Sequence, residues 1–320
     1  MPRHVFFGLG AGALWGITFI APAALGPFTA LDLTLFRYLI FGVVSLIVLA
    51  ALRFNPFREL DARGWWRIIG LGVAGNTLFY LAMSVGVAFA GSAPVALLVG
   101  TLPIALIIAG NLRRKTVLWR RLFGPVLVLM AGIGVTGVVA VSGSELGGSL
   151  AIVGVALAAV SLFSWLAYGI VNAEYLEDNP ATGIILWTSL TGLGTLITLP
   201  PLAIGVAVIG RTEPVLEGDW GILLFWGLLL GLGASWGATW LWNKASSGLS
   251  TTVLGLLLVS ETVFAILFVC LFEVRWPTAA EVVSTVLIVV GVAWGLHATS
   301  MKTSVLSADR DRVVEPVGAE

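Results

Sequence analysis

Charge is what this sequence has least of. Of its 320 residues only 11% are Asp, Glu, Lys or Arg, where a soluble domain carries about 25%. That is too little to coat a water-facing surface. With 58% hydrophobic residues and a mean hydropathy of +1.03, most of the chain must face lipid or other helices. Acidic and basic residues balance at 17 each, so no excess of positive charge draws it to nucleic acid. The single cysteine, Cys270, lies in an apolar run. It cannot form an intrachain disulfide and packs as a small hydrophobe. The two histidines, His4 and His297, stand at the ends of apolar runs. No Cys/His set and no pair of acids shares one depth, so neither a metal centre nor a nucleophile with its base is expected. The chain therefore reads as a non-enzyme without metal or cofactor. A Walker A loop is absent, which excludes ATP-driven pumping within this chain. No ring of acids or carbonyl-filter motif suggests a channel.

What is there is a succession of long apolar runs. A spanning helix needs about 20 mostly apolar residues, because lipid leaves bare backbone groups unsatisfied. Ten stretches qualify, near 5–24, 34–52, 66–89, 92–111, 121–141, 149–172, 182–207, 220–243, 250–272 and 277–298. The first follows Arg3 and His4 as a secretory leader would, yet no small-residue cleavage pair stands out, so it reads as a span. The segment after Lys302 is polar without apolar period and is expected to be disordered. Basic residues then set the orientation. With the N-terminus inside, fourteen fall on the inner side: Arg3, the Arg53–Arg67 group, the five of Arg113–Arg121, Lys244, and Lys302 onward. Only Arg211 and Arg275 fall outside, and Arg37 lies within a span. That asymmetry puts both termini in the cytoplasm and requires an even number of spans. Trp65, Trp66, Trp119, Trp220 and Trp276 fall at span ends, as an interfacial belt would.

The second half echoes the first. Trp15 corresponds to Trp165, the stretch ending at Gly42 to the one ending at Gly192, L-G-V-A-G-N from Leu71 to L-G-L-G-A-S from Leu230, and T-L-P-I-A from Thr101 to S-E-T-V-F from Ser260. Five spans per half is an odd number, so the halves enter the membrane from opposite sides. The expected architecture is an all-α membrane protein of ten transmembrane helices in two inverted five-helix repeats, 1–145 and 146–300, with a tail at 301–320. Inverted repeats are a transporter architecture, with the solute near the midplane. Small residues at four-residue spacing (Gly8, Gly12, Gly16; Gly227, Gly231; Gly233, Gly237; Gly291, Gly295) suit close helix packing.

The ten spans, the five-plus-five echo, W-N-K-A closing span 8 (Trp242 to Ala245), S-T-T opening span 9 (Ser250 to Thr252) and S-E-T-V-F-A after it (Ser260 to Ala265) together resemble the drug/metabolite transporter superfamily, EamA branch. Members commonly have proline where Thr262 stands, and this chain keeps that proline only in the first repeat, at Pro103. The resemblance implies export or exchange of amino acids, drugs or other small metabolites, aromatic amino acids among them. The related four-helix exporters use a glutamate in their first helix; span 1 here has none.

Glu261 sits in mid-span, where an acid costs at least about 2–3 kcal/mol unless it faces protein or water. It is either a proton-titrating or cation-binding group or a carboxyl bonded to a neighbouring helix. Arg37 either snorkels or pairs structurally, or else it draws a substrate carboxylate. Span 6 aligns Ser161, Trp165, Tyr168 and Asn172 on one face, span 8 aligns Trp236, Trp240 and Asn243, span 3 offers Asn76 and Tyr80, and span 1 adds Trp15. Such stripes are often plain packing, but their polar groups would lack partners in lipid, so they are expected to face inward. There they would wall an aromatic, mostly neutral chamber suited to flat apolar solutes or organic cations. Asn172 and Asn243 near the cytoplasmic side are candidate gate residues, or ordinary caps. The reading is a monomeric secondary transporter of small metabolites in the bacterial inner membrane, its partners a small-molecule substrate and the lipid bilayer. A multidrug or organic-cation exporter is the nearest alternative; an intramembrane enzyme or a structural membrane protein is the alternative of another class.

Overall fold

The computed structural model describes residues 2–25, 28–115, 117–142, 151–209 and 219–313. The expected repeat boundary at 145/146 and Arg211 lie outside them. Among the described residues the chain is helical without strands. The longer helices are α1 (Pro2–Gly16), α2 (Ala30–Ala51), α3 (Ala62–Ala90), α4 (in two pieces, Ser92–Val99 and Leu102–Arg114), α5 (Trp119–Ser142), α6 (Ala151–Asp178), α7 (in two pieces, Ile184–Ile197 and Leu199–Ile209), α8 (Trp220–Ser246), α9 (in two pieces, Thr251–Leu258 and Ser260–Phe272) and α10 (Ala279–Val313), and a one-turn helix, Pro56–Glu59, lies between α2 and α3. Six of them, α2, α3, α6, α8, α9 and α10, are long and apolar enough to cross a membrane. After α1 the chain continues as two 3-10 turns through Ala24 rather than as one helix to residue 24. Helix α10 runs on to Val313, so the beginning of the tail expected to be disordered is helical.

Local chemistry starts several helices. Thr29 and Asp32 form a reciprocal capping box at α2, Asp61 accepts from the Gly64 amide at α3, and Asp219 accepts from the Gly221 amide at α8. Two helices widen in their interiors: α3 is π-helical over Val73–Thr77 and α8 over Leu230–Gly237. These are the segments that carry the L-G-x-x-G/A echo. Backbone carbonyls there turn outward to new donors: the Ala74 carbonyl accepts from the Ser164 hydroxyl at 2.8 Å, and the Ala234 carbonyl from Arg37 at 3.2 Å. Two helices break where the other echo lies. Helix α4 stops at Gly100–Thr101, just ahead of Pro103, and α9 stops at Val259, just ahead of Glu261. Helix α9 breaks without the proline.

Glycine sets how close the helices come. A methyl group on Gly8, Gly12 or Gly16 would meet Leu257, Ser260 and Phe264 in turn, so this stripe of α1 lies directly on both pieces of α9. Gly227 and Gly231 seat α8 on Phe36 and Ile40 of α2, and Gly291 and Gly295 seat α10 on Leu129 and Leu256. Of the expected pair Gly233 and Gly237, a methyl group on Gly233 would meet nothing within 4 Å, whereas one on Gly237 would lie 3.5 Å from Leu14 of α1. The neighbour pattern is regular. Helix α1 packs on α8 and α9, and α6 packs on α3 and α4; α2 contacts α8 and α7 contacts α3; α2 pairs with α7, α4 with α9, and α5 with α10. The central core runs through Leu71, Leu106, Trp165, Leu193, Trp242 and Leu254. Trp66, Trp119, Trp220 and Trp276 are exposed, as an interfacial belt requires.

Candidate functional site

Two polar clusters lie inside the bundle. The first surrounds Arg37. Its position on α2 is not one from which it snorkels: only 7% of it is exposed, and three of its nitrogens are held. Nε donates to the Ser235 hydroxyl at 2.6 Å, one terminal nitrogen to the Tyr80 hydroxyl at 3.1 Å, and the other to the Ala234 carbonyl. The guanidinium also lies 5.6 Å from the ring centres of Tyr38 and Tyr80, in cation–π range. All these contacts are neutral. A charge buried among neutral groups is costly; among the described residues no carboxylate forms an ion pair with Arg37, and Glu261 on α9 acts on it only at longer range. Glu261 is the second residue after the α9 break, half-buried, in the first turn of Ser260–Phe272, where the helix dipole favours a carboxylate. Among the described residues its carboxyl makes no hydrogen bond. The Ser260 hydroxyl beside it is buried and has no partner either.

The aromatic residues form a group in the central core. Trp15 and Trp165 meet edge to face at 6.1 Å, as do Trp165 and Tyr168 at 5.6 Å, while Trp242 lies tilted against Trp15 at 5.4 Å and against Trp165 at 5.8 Å. Rings expected to wall an open chamber pack on one another in this conformation. Trp242 is completely buried. It was not among the expected site residues, although it opens the W-N-K-A motif.

The second cluster lies at the end of the bundle that holds most of the basic residues. The Trp187 indole N–H donates to Asn172 at 2.9 Å, Asn172 donates to Asn243 at 2.9 Å, and Asn243 donates to the Thr188 hydroxyl at 3.0 Å. An indole can only donate, so the amide orientation of Asn172 is fixed, and that fixes Asn243. All four side chains are buried. Tyr175 stacks on Trp187 at 3.9 Å, and Arg67 lies over Tyr175 at 4.7 Å. Outside this layer Arg113 donates twice to Glu174, at 2.6 and 2.8 Å, and Arg114 lies 3.4 Å from Glu177. The pairing with Glu174 raises the Arg113 guanidinium above its ordinary range.

The other expected residues divide between these clusters and their surroundings. Tyr80 belongs to the Arg37 cluster. Asn76 donates to the Thr195 hydroxyl at 2.9 Å, and the Trp236 indole donates to Ser189 at 3.3 Å, so both tie their helices to α7. Trp240 joins neither cluster; it meets Phe7 edge to face near the basic end. The span at 182–207 was expected, but no site residue was expected on α7. Its signal was present: Thr188, Thr191, Thr195 and Thr198 recur at spacings of three and four, one polar helical face in an apolar run, and all four are buried.

An acid and a base of opposite charge at helix irregularities, beside aromatic faces and below a sealed polar layer, make a place to hold a small polar or aromatic solute. Among the described residues no three His, Cys, Asp or Glu side chains group as a metal site would require. Residues 3–139 match the EamA-like transporter family. Over 321 residues the chain is 29% identical to the inner membrane protein YtfF of Escherichia coli (strain K12), covering 94% of this chain and 97% of that protein. A crystal structure of a protein 18% identical superposes with a TM-score of 0.77, over 94% of this chain and 99% of that one, a likeness of fold.

Proposed function

We propose, from the premise that this chain is a multi-pass cell-membrane transporter carrying an EamA-like domain and homologous to YtfF, that it is a secondary active transporter of small metabolites, amino acids including aromatic ones among them. Alternating access moves the solute through the centre of ten spans, built as inverted halves at 1–145 and 146–300 with both termini cytoplasmic. The neighbour pattern supports this reading: exchanging each helix for the one five positions away preserves the contacts, α1 with α9 becoming α6 with α4 and α1 with α8 becoming α6 with α3. The family match at 3–139 falls within the first half.

The observation that carries the proposal is that two residues of opposite charge, Arg37 and Glu261, lie within the apolar helices α2 and α9. Both residues lie inside the bundle at irregular backbone, the π-helical stretch of α8 and the break of α9. Charges at such depth are costly and mark solute or ion pathways. In this reading Glu261 couples transport to a proton or cation, and Arg37 with Tyr80 orients the solute. Trp15, Trp165, Tyr168 and Trp242 part to give it an aromatic bed. The Trp187–Asn172–Asn243–Thr188 layer is the closed inner gate, and Asn76, Trp236 and Ser189 join the moving helices to α7.

Proteoliposomes loaded with an amino-acid, nucleoside and quaternary-amine panel test it. Saturable counterflow of an amino acid, with pH dependence abolished in Glu261→Gln, is the expected result. Unchanged pH-dependent flux in that variant would remove Glu261 from coupling. A second reading, organic-cation export, is favoured by the combination of three tryptophan faces with an acid; flux of quaternary amines alone would select it. No flux of any solute would return the protein to the structural or enzymatic alternatives.

A further inference from the structure

A crevice of about 340 Å³ opens at the basic end, beside the second cluster. It is lined by Leu52 at the end of α2, Gly183 to Leu186 at the start of α7, and Trp240 and Lys244 in the last turns of α8. Its chemistry is one-sided. No acid lines it. Lys244 is half-buried, and among the described residues no carboxylate reaches its ammonium group; its backbone carbonyl, on the other side, accepts from His4 at 2.7 Å. The Trp240 indole N–H is buried and has no acceptor. No side chain caps α7 at Gly183, so the first-turn amides bring further donors and the positive end of a helix dipole. The outer rim is apolar: Leu52 and Ile185 are 48% and 45% exposed.

A cation, unpaired donors and an apolar rim at one membrane-facing edge define an amphiphile with an anionic head. We propose that this crevice binds the headgroup of an anionic phospholipid of the adjoining leaflet, its phosphate held by Lys244 and the first amides of α7, with an acyl chain laid along Leu52 and Ile185. The volume admits a glycerophosphate headgroup, and the chains remain outside against the exposed rim. A free phosphate would leave that rim without a role, and a zwitterionic lipid would bring its own ammonium next to Lys244. The site's position matters to the transport cycle. Leu186 and Lys244 are the immediate chain neighbours of Trp187 and Asn243, so the lipid braces the layer read above as the closed gate. That consequence rests on the gate reading; the lipid site does not.

Full-length protein, reconstituted in nanodiscs of phosphatidylcholine with a small fraction of brominated phosphatidylglycerol, gives a direct readout through tryptophan quenching. The expected result is a saturable quenched component that brominated phosphatidylcholine does not reproduce. Trp240→Phe removes that component, Lys244→Gln weakens it about fivefold, and Lys244→Arg preserves it. In detergent, phosphatidylglycerol raises the unfolding midpoint of the unmodified chain and inorganic phosphate does not. Equal quenching by both brominated lipids, or undiminished quenching in Trp240→Phe and Lys244→Gln, would overturn the proposal. An equal midpoint rise with inorganic phosphate would make this a free-anion site instead. Since Trp240→Phe and Lys244→Gln are read independently, one poorly folding variant leaves the other to decide.

Discussion

The two buried polar clusters are built on opposite plans. At the basic end every side chain in the layer has a partner, in a chain of donors from Trp187 through Asn172 and Asn243 to Thr188. At the centre the accounts stay open. The Glu261 carboxyl makes no hydrogen bond among the described residues, and the Ser260 hydroxyl is buried without one. A fully satisfied network rigidifies; a partly satisfied one keeps affinity for what is missing. The first arrangement is what a seal needs, and the second is what a binding site needs between occupants.

The sharpest way to break that contrast is to open the satisfied cluster. Asn243→Ala strips Asn172 of its acceptor and Thr188 of its donor in a region closed to water. The expected loss is about 2–4 kcal/mol of stability, several times what a surface change costs, read as a lowered unfolding midpoint in detergent. A cost near zero would mean that water enters this layer and that it is no seal.

The central cluster should respond in the reverse sense. A methyl group on Gly12 would collide with the Ser260 oxygen and lie 3.2 Å from the Glu261 backbone nitrogen, so Gly12→Ala should cost about 1–3 kcal/mol through overpacking. Ser260→Ala should cost less than about 0.5 kcal/mol, because the hydroxyl it removes has no partner to lose. Combined, the pair should recover part of the Gly12→Ala loss, since the nearest clash disappears with the hydroxyl. Strict additivity in that double-mutant cycle would show that α1 and α9 do not meet there as described.

How far this contrast was legible beforehand depends on the residue. Apolar runs and the asymmetry of basic residues were enough to mark a multi-pass membrane protein, because both are one-dimensional properties. The echoes at Leu71/Leu230 and Thr101/Ser260 marked where the backbone departs from the α-helix, although nothing in their composition said that one pair would widen and the other break. Asn172 and Asn243 were identifiable as buried amides, but their partners Trp187 and Thr188 belong to α7, whose threonine stripe passes in a linear reading for ordinary small residues. Arg37 was visible as an isolated charge. That it is held by the π-helical carbonyl of Ala234 could not be read from spacing, because an α-helix has no spare carbonyl there. Trp240 shared a helical face with Trp236 and so read as a wall of the same chamber. Rotation along α8 puts it at the basic end instead, with its indole against Phe7.

The smallest effect is expected where charge is most visible. Arg113 and Glu174 form a doubly bonded ion pair bridging α4 and α6 just outside the sealed layer, and a quick inspection would name them as the lock. Yet the arginine side chain is 56% exposed, and its partner is 21% exposed. Water and counter-ions screen such pairs, and ordering two long side chains offsets most of the attraction. Glu174→Gln should therefore shift the unfolding midpoint barely measurably at physiological salt and not at all at high salt. The neutral layer beneath contains no charge to screen, so the Asn243→Ala loss should persist unchanged across the same salt series. If the order were reversed, with Glu174→Gln costly and Asn243→Ala cheap, closure at the basic end would be electrostatic, and the distinction between a satisfied seal and an unsatisfied centre would lose its physical basis.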